Sequence, residues 1–218
     1  MIKGAIFDLD GTLLDSMSVW DTVAEDYLRS LGIEPKENLN EVFKTFSLEQ
    51  SANYYRDHYG VTLSTEEITE GINATVRNSY ITTVPSKPCV FDFLCKLKEH
   101  GVQMCVATVT DMAMAEAALK RCGLREYFSA ILTCSSVGYS KEDPHIYRAA
   151  LEQLKTKKSE TLVFEDSFHA LKTAKADGFI SVAVYDEHEE NQAELKSLAD
   201  YYLNDYSDFE KFWHDINK

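Results

Sequence analysis

The stretch Ile6-Phe7-Asp8-Leu9-Asp10-Gly11-Thr12 constrains the fold of this chain more than any other. A branched and aromatic run, Ala5-Ile6-Phe7, stops at two carboxylates two residues apart, followed by a glycine. This is how a buried strand ends in a turn. Strand side chains repeat with period two, so Asp8 and Asp10 leave the strand toward one side. Two carboxylates held there repel each other, and a folded chain keeps them with a bound cation, a proton or a chemical task. Taken alone, the stretch reads equally well as a solvated turn built from good turn formers. Residues further along decide between the two.

The chain alternates apolar runs with amphipathic segments, but only after a long interruption. Ser16 or Ser18 caps a predicted helix whose apolar positions Trp20, Val23, Ala24, Tyr27, Leu28 and Leu31 recur at helical spacing, with Gly32 as its stop. Ser47-Leu-Glu-Gln50 and Ser64-Thr-Glu-Glu67 are capping boxes that open two further helices. Residues 16–84 thus read as a small all-helical unit, and Pro85 and Pro88 mark its exit. Beyond it, strands are expected at 103–109, 130–134, 161–164 and 180–184, with an edge strand at 200–203. Helices fall between them: Val90 to His100, Ala113 to Cys122, Pro144 through Leu154, and one ending at Asp177. Ser207-Asp-Phe-Glu210 is read as the cap of a terminal helix. The pattern predicts an α/β fold with a doubly wound parallel sheet, 1–15 joined with 85–218, interrupted by the helical insertion 16–84.

Charge and cysteine usage narrow the partners. A formal net charge of −14 excludes a phosphate backbone as the natural partner, because nucleic acid requires a basic surface. Five cysteines with no Cys-x-x-Cys pair indicate neither a disulfide framework nor a zinc site, and Cys105 and Cys134 read as small core residues of strands. No apolar run approaches a membrane span, so the chain is expected to be cytoplasmic, as a monomer or small homo-oligomer.

In a sheet of this kind, function collects at the carboxyl ends of the strands. The polar residues closing the predicted strands are Asp8 and Asp10, Thr108 and Thr110, and Glu165 and Asp166, with Lys141 in a loop nearby. Hard oxygen ligands in that number suit Mg²⁺, while a threonine and a lysine can hold phosphate oxygens. Nucleophile, metal, proton donor and charge clamp together make up what phosphoryl transfer needs. Singly, each residue has a plainer reading: Thr108 as a strand residue, Lys141 as a solvated lysine, Glu165-Asp166 as a helix cap. Their occurrence in this order favours the chemical reading.

These residues resemble a known family. Phe7-Asp8-Leu-Asp10-Gly11-Thr12-Leu-Leu-Asp15-Ser16, Ala107-Thr108, Ser140-Lys141 with Pro144 and Tyr147, and Phe164-Glu165-Asp166-Ser167 are similar to the four ordered motifs of the haloacid dehalogenase superfamily. The helical insertion resembles the cap of its phosphatase and β-phosphoglucomutase-like branch. The resemblance implies that Asp8 is the nucleophile and that Asp10 is the acid/base. It places Mg²⁺ on Asp8, the Asp10 carbonyl, Asp166 and Glu165, with Thr108 and Lys141 gripping the phosphate of a small phosphorylated metabolite. The cap residues Lys44, Tyr55 and Arg56 are candidates for contacting the leaving group, and Trp20 is read as a core residue of the cap or else as a wall of the leaving-group pocket. His169 is expected to be exposed and not a base. Two departures bear on substrate. The usual Gly-Lys-Pro of the third motif is Ser140-Lys141-Glu142, with Pro144-His145 in place of Pro-Asp. Trp20 occupies the position where the mutases carry a histidine that helps hold the acid/base. The resemblance therefore implies a phosphatase, with a sugar-phosphate mutase or a non-catalytic binding module as alternatives; Asp10 and the metal-like acids disfavour a dehalogenase.

Overall fold

The computed structural model of the protein describes residues 1–36, 38–43 and 46–218. It divides into two compact units, one made of residues 1–15 and 85–218 and the other of 16–84.

The larger unit begins with β1 (Gly4–Phe7) and is interrupted by the smaller one, whose described residues form α1 (Val19–Ser30), α2 (Leu39–Phe43), α3 (Leu48–Tyr59) and α4 (Thr65–Thr82). It resumes with α5 (Val90–Glu99), β2 (Gln103–Thr108), α6 (Met112–Arg121), β3 (Ala130–Thr133), α7 (Cys134–Val137) and α8 (His145–Leu154). The chain continues through β4 (Thr161–Glu165), α9 (Phe168–Ala176), β5 (Ile180–Val184), α10 (Gln192–Leu198), β6 (Tyr201–Leu203) and α11 (Phe209–Ile216). Among the described residues the strands form one parallel sheet in the order β3-β2-β1-β4-β5-β6. The order reverses at β1, so the chain winds outward from the centre twice, and ligands of such sheets bind where the winding turns.

Register explains why β1 can be entirely apolar. Ile6 lies beside Cys105 and Val163, and the three face one core with Ile146, Tyr147 and Ala150 of α8. Phe7 points the other way and stacks on its β4 neighbour Phe164 with ring centroids 4.2 Å apart, while Phe93 of α5 meets Phe164 edge-on. Burial on both faces is what a parallel strand between helical layers requires. The free Cys105 is buried in β2, whereas Cys134 starts α7 rather than ending a strand, because Thr133 and Ser136 close a capping box there. The terminal helix is capped by Asp208, which accepts from the Lys211 amide, and not by Ser207, whose hydroxyl donates to Asp205.

The smaller unit has its own core, with Tyr27 and Leu28 of α1, Tyr55 of α3 and Ile68 of α4. Both predicted capping boxes are formed, Ser47 with Gln50 and Ser64 with Glu67. Gly71 lets α4 approach α1, since a Cβ there would sit 2.4 Å from the Tyr27 ring. Trp20 is not a core residue of this unit; in the first turn of α1, ahead of the buried stripe Ala24, Tyr27 and Leu28, it is 49% exposed. No described helix is long and apolar enough to cross a membrane.

Candidate active site

Asp8 follows β1 directly, and its amide donates to the Phe164 carbonyl of β4 at 2.9 Å, which holds the end of β1 against the end of β4. The turn then folds on itself. The amides of Leu13 and Leu14 donate to the Leu9 carbonyl at 2.9 and 2.8 Å, and the Gly11 amide donates to the Leu14 carbonyl at 2.9 Å. Gly11 has φ +74°, and a Cβ on it would fall 2.2 Å from the Asp166 carboxylate. Glycine is therefore required twice over, for the left-handed backbone and for the closeness of Asp166. Thr12 completes the link by donating to Asp166 Oδ1 at 2.9 Å, and its own carbonyl accepts from the buried Tyr206 hydroxyl at 3.1 Å.

Glu165 closes β4 and Asp166 follows it. One carboxylate oxygen each from Asp8, Glu165 and Asp166 lies within 4.8 Å of the other two, and all three residues are buried. Lys141, on the loop between α7 and α8, reaches into this cluster and bonds Asp8 Oδ1 and, at 2.8 Å, Glu165 Oε1. The same Glu165 oxygen accepts from the buried Tyr147 hydroxyl of α8 at 2.7 Å. Glu165 is thus the anchor that holds the lysine against Asp8.

The electrostatics follow from the crowding. Burial pushes the Asp8 carboxyl well above the ordinary carboxylate range; Lys141 draws it down, and Glu165, Asp166 and Asp10 push it further up. Burial and then Glu165 raise Asp166 to about 7, against the stabilising Thr12 hydroxyl and Lys141. Burial disfavours the charge on Lys141, but Asp8 and Glu165 outweigh that and raise it. Three buried carboxylates facing one ammonium offer hard oxygen donors at a spacing that fits a divalent cation such as Mg²⁺.

Asp10 stands beside this cluster, with its Oδ2 accepting from the Thr110 hydroxyl at 2.5 Å. Thr108, the buried last residue of β2, accepts the Thr110 amide on its Oγ1 at 3.0 Å, leaving its own O–H to donate elsewhere. The structure therefore brings together Asp8, Lys141, Glu165 and Asp166, and sets Asp10 and Thr108 at the neighbouring strand ends. Three other predicted contacts belong to the smaller unit in sequence. Lys44 lies outside the described residues. Arg56 is consumed within its own unit, donating to the Leu63 carbonyl at 3.0 Å, Asn53 Oδ1 at 2.8 Å and Thr65 Oγ1 at 3.1 Å. Tyr55 is buried and donates to the Ala24 carbonyl at 3.0 Å. These bonds join α3 to the Leu63–Thr65 segment and to α1. His169 is exposed on the first turn of α9. The sequence places Thr12 and Tyr147 within the motifs but gives them no role, and their anchoring of Asp166 and Glu165 is seen only in the structure.

Gly11→Ala is expected to destabilise the protein by about 2 kcal/mol or more, because a Cβ adds left-handed strain to a clash with Asp166. Chemical denaturation monitored by circular dichroism measures it; an unchanged midpoint would show that the turn has room to spare.

A parallel sheet with a buried acid cluster and a lysine at its switch point defines the class. The model of the haloacid dehalogenase-like hydrolase family matches residues 5–184, and the chain belongs to that family. Protein CbbY of Cereibacter sphaeroides is 29% identical over 206 residues, covering 87% of this chain and 88% of the relative. Hexitol phosphatase B of Escherichia coli K12 is 29% identical over 187 residues, 84% of this chain and 83% of the relative. Among solved structures, a Thermotoga maritima protein assigned as a beta-phosphoglucomutase superimposes with a TM-score of 0.82 over 98% of this chain and 99% of its own. At 22% identity that likeness speaks to the fold.

Proposed function

We propose that the chain is a Mg²⁺-dependent phosphatase that hydrolyses a small phosphorylated metabolite, of the sugar or polyol phosphate kind, through an aspartyl-phosphate on Asp8. The observation that carries this reading is the buried cluster of Asp8, Glu165 and Asp166 closed by Lys141. That one of the matched relatives is a hexitol phosphatase supports the substrate class.

In this reading an Asp8 carboxylate oxygen attacks phosphorus, the bond from phosphorus to the leaving oxygen breaks, and Asp10 gives that oxygen its proton. Asp10, now ionised, takes a proton from water as the water oxygen attacks the same phosphorus. The phosphorus–Asp8 bond breaks, inorganic phosphate departs, and Asp8 is restored. The side chains of Asp8 and Asp166 and the Asp10 carbonyl would hold Mg²⁺, which when bound supplies positive charge against the phosphoryl oxygens. Lys141 adds a fixed charge on the same side and is held there by Glu165. The Thr108 hydroxyl, whose acceptor side already takes the Thr110 amide, is left to donate to a phosphate oxygen. The helical unit 16–84 acts as a cap, and Trp20 in place of the mutase histidine supports water as the final acceptor.

The test is phosphate release over a panel of sugar and polyol phosphates, nucleotides and small organic phosphates, in Mg²⁺ and in EDTA. A small sugar or polyol phosphate is expected to be turned over best, and EDTA to lower the rate by about 100-fold or more. Release that ignores EDTA, or release from no ester, would overturn the reading; an isomeric product formed only with a bisphosphate primer would identify a mutase instead.

A further inference from the structure

We infer that Thr110 is a positioning residue for Asp10, holding its carboxyl group in line for proton exchange; the inference rests on Asp10 being the acid/base. The argument begins with the sheet. Phe7 of β1 and Val106 of β2 are paired in register, so the residues just past each strand, Asp10 and Thr110, emerge side by side although they are 100 apart in sequence. The main chain at Thr110 is itself pinned, because its amide donates to Thr108 Oγ1 at 3.0 Å in a tight turn at the end of β2. From that fixed point the Thr110 hydroxyl donates to Asp10 Oδ2 at 2.5 Å.

A carboxyl group that shuttles a proton has two oxygens and works through one of them. Donation by Thr110 engages Oδ2 and sets the direction in which the carboxyl group faces. It also stops rotation about the terminal torsion, which is otherwise broad for aspartate. General acid catalysis depends on this kind of alignment, since a proton donor that wanders out of line loses much of its effect. Both partners belong to the same unit of the fold, 1–15 with 85–218, so the alignment is built into the sheet edge. The turn carries two hydroxyls two residues apart with divided work: Thr108 toward phosphate, Thr110 toward the acid.

Thr110→Val removes the hydroxyl at nearly constant volume, and Thr110→Ser restores it. The readout is kcat/KM for two probes, glycerol phosphate, whose alkoxide must be protonated as it leaves, and p-nitrophenyl phosphate, whose phenolate leaves without that help. This parameter reports only steps through departure of the leaving group, so the later attack by water does not enter. The expectation for Thr110→Val is a loss of about 10- to 100-fold on glycerol phosphate, a loss of less than about 3-fold on p-nitrophenyl phosphate, and recovery in Thr110→Ser. Asp10→Asn is run alongside. If Asp10→Asn penalises the alkyl ester selectively but Thr110→Val affects both probes alike or neither, the positioning role is overturned while the acid/base reading stands. If Asp10→Asn itself fails to discriminate between the probes, the acid/base reading falls and the inference falls with it.

Discussion

Asp8→Asn is expected to lower phosphatase kcat by about 10⁴-fold or more while leaving the protein folded. The substitution keeps the shape of the side chain and removes the one property the proposed chemistry needs, an anionic oxygen able to bond to phosphorus. The carboxamide also leaves Lys141 with a single carboxylate partner, Glu165, and takes one donor from the cluster that would hold Mg²⁺. Its effect on the fold runs the other way. Asp8 is buried and pressed by Glu165, Asp166 and Asp10 toward its neutral form, so a neutral residue of equal size relieves like-charge repulsion. The variant should therefore melt no lower than the wild type in EDTA at neutral pH. Phosphate release measures the first effect, a thermal melt the second, and mass spectrometry of acid-quenched enzyme should find the phosphoryl adduct in the wild type only. Hydrolysis by Asp8→Asn at near wild-type rate would sink the assignment of Asp8 as nucleophile.

The parts of the fold that could be read from the sequence are those whose causes are local. An apolar run that ends in carboxylates marks the end of β1, and the same pattern marks β4, because a buried strand must surface where charge begins. Both serine capping boxes were legible, since the hydrogen bonds that close them span three residues. Short elements with weak local signals were not: α10 carries one buried residue, Leu195, and has no side-chain cap, and the cap of α11 fell to Asp208 rather than its neighbour Ser207. Trp20 misled for a related reason. Its helical spacing matched the stripe of α1, but spacing does not say where along a helix its neighbours stop. At the site, the residues that carry charge stood out by type and order. Those that hold them in place did not, because Tyr147 meets Glu165 across 18 positions and Thr12 meets Asp166 across 154, and the packing of α8 on the sheet and the register of β1 with β4 bring them together.

Removal of metal is expected to make the protein less stable as pH rises from 5.5 to 8, the reverse of what ion-paired acids produce. An aspartate with a lowered pKa gives its stability above its unfolded value and loses it in acid; Asp177, Asp186 and Asp200, held down by lysine, arginine and hydrogen-bond partners, belong to that kind. Their contribution is complete by pH 5.5. Asp8 and Asp166 are the opposite case, with folded pKa values raised by burial and by each other's neighbours. Stability from a raised group is present in full below its unfolded pKa and is lost as pH climbs through the folded one. For Asp166 that window runs from the ordinary 3.8 to about 7. Of that window only the part above pH 5.5 falls inside the range compared, which corresponds to about 2 kcal/mol at most, on the order of 5 °C in melting temperature for a chain of this length. Mg²⁺ should reverse the trend, because it binds the ionised carboxylates and competes with protons that are scarcer at pH 8 than at 5.5. Thermal melts in EDTA and in 10 mM Mg²⁺, at about pH 5.5 and about pH 8, separate the two effects. The Mg²⁺ shift should be larger at the higher pH, and Asp166→Asn should flatten both the fall in EDTA and the gain with Mg²⁺. Equal melting temperatures at the two pH values in EDTA, with no response to Mg²⁺ at pH 8, would mean that the cluster neither carries uncompensated charge nor binds the ion.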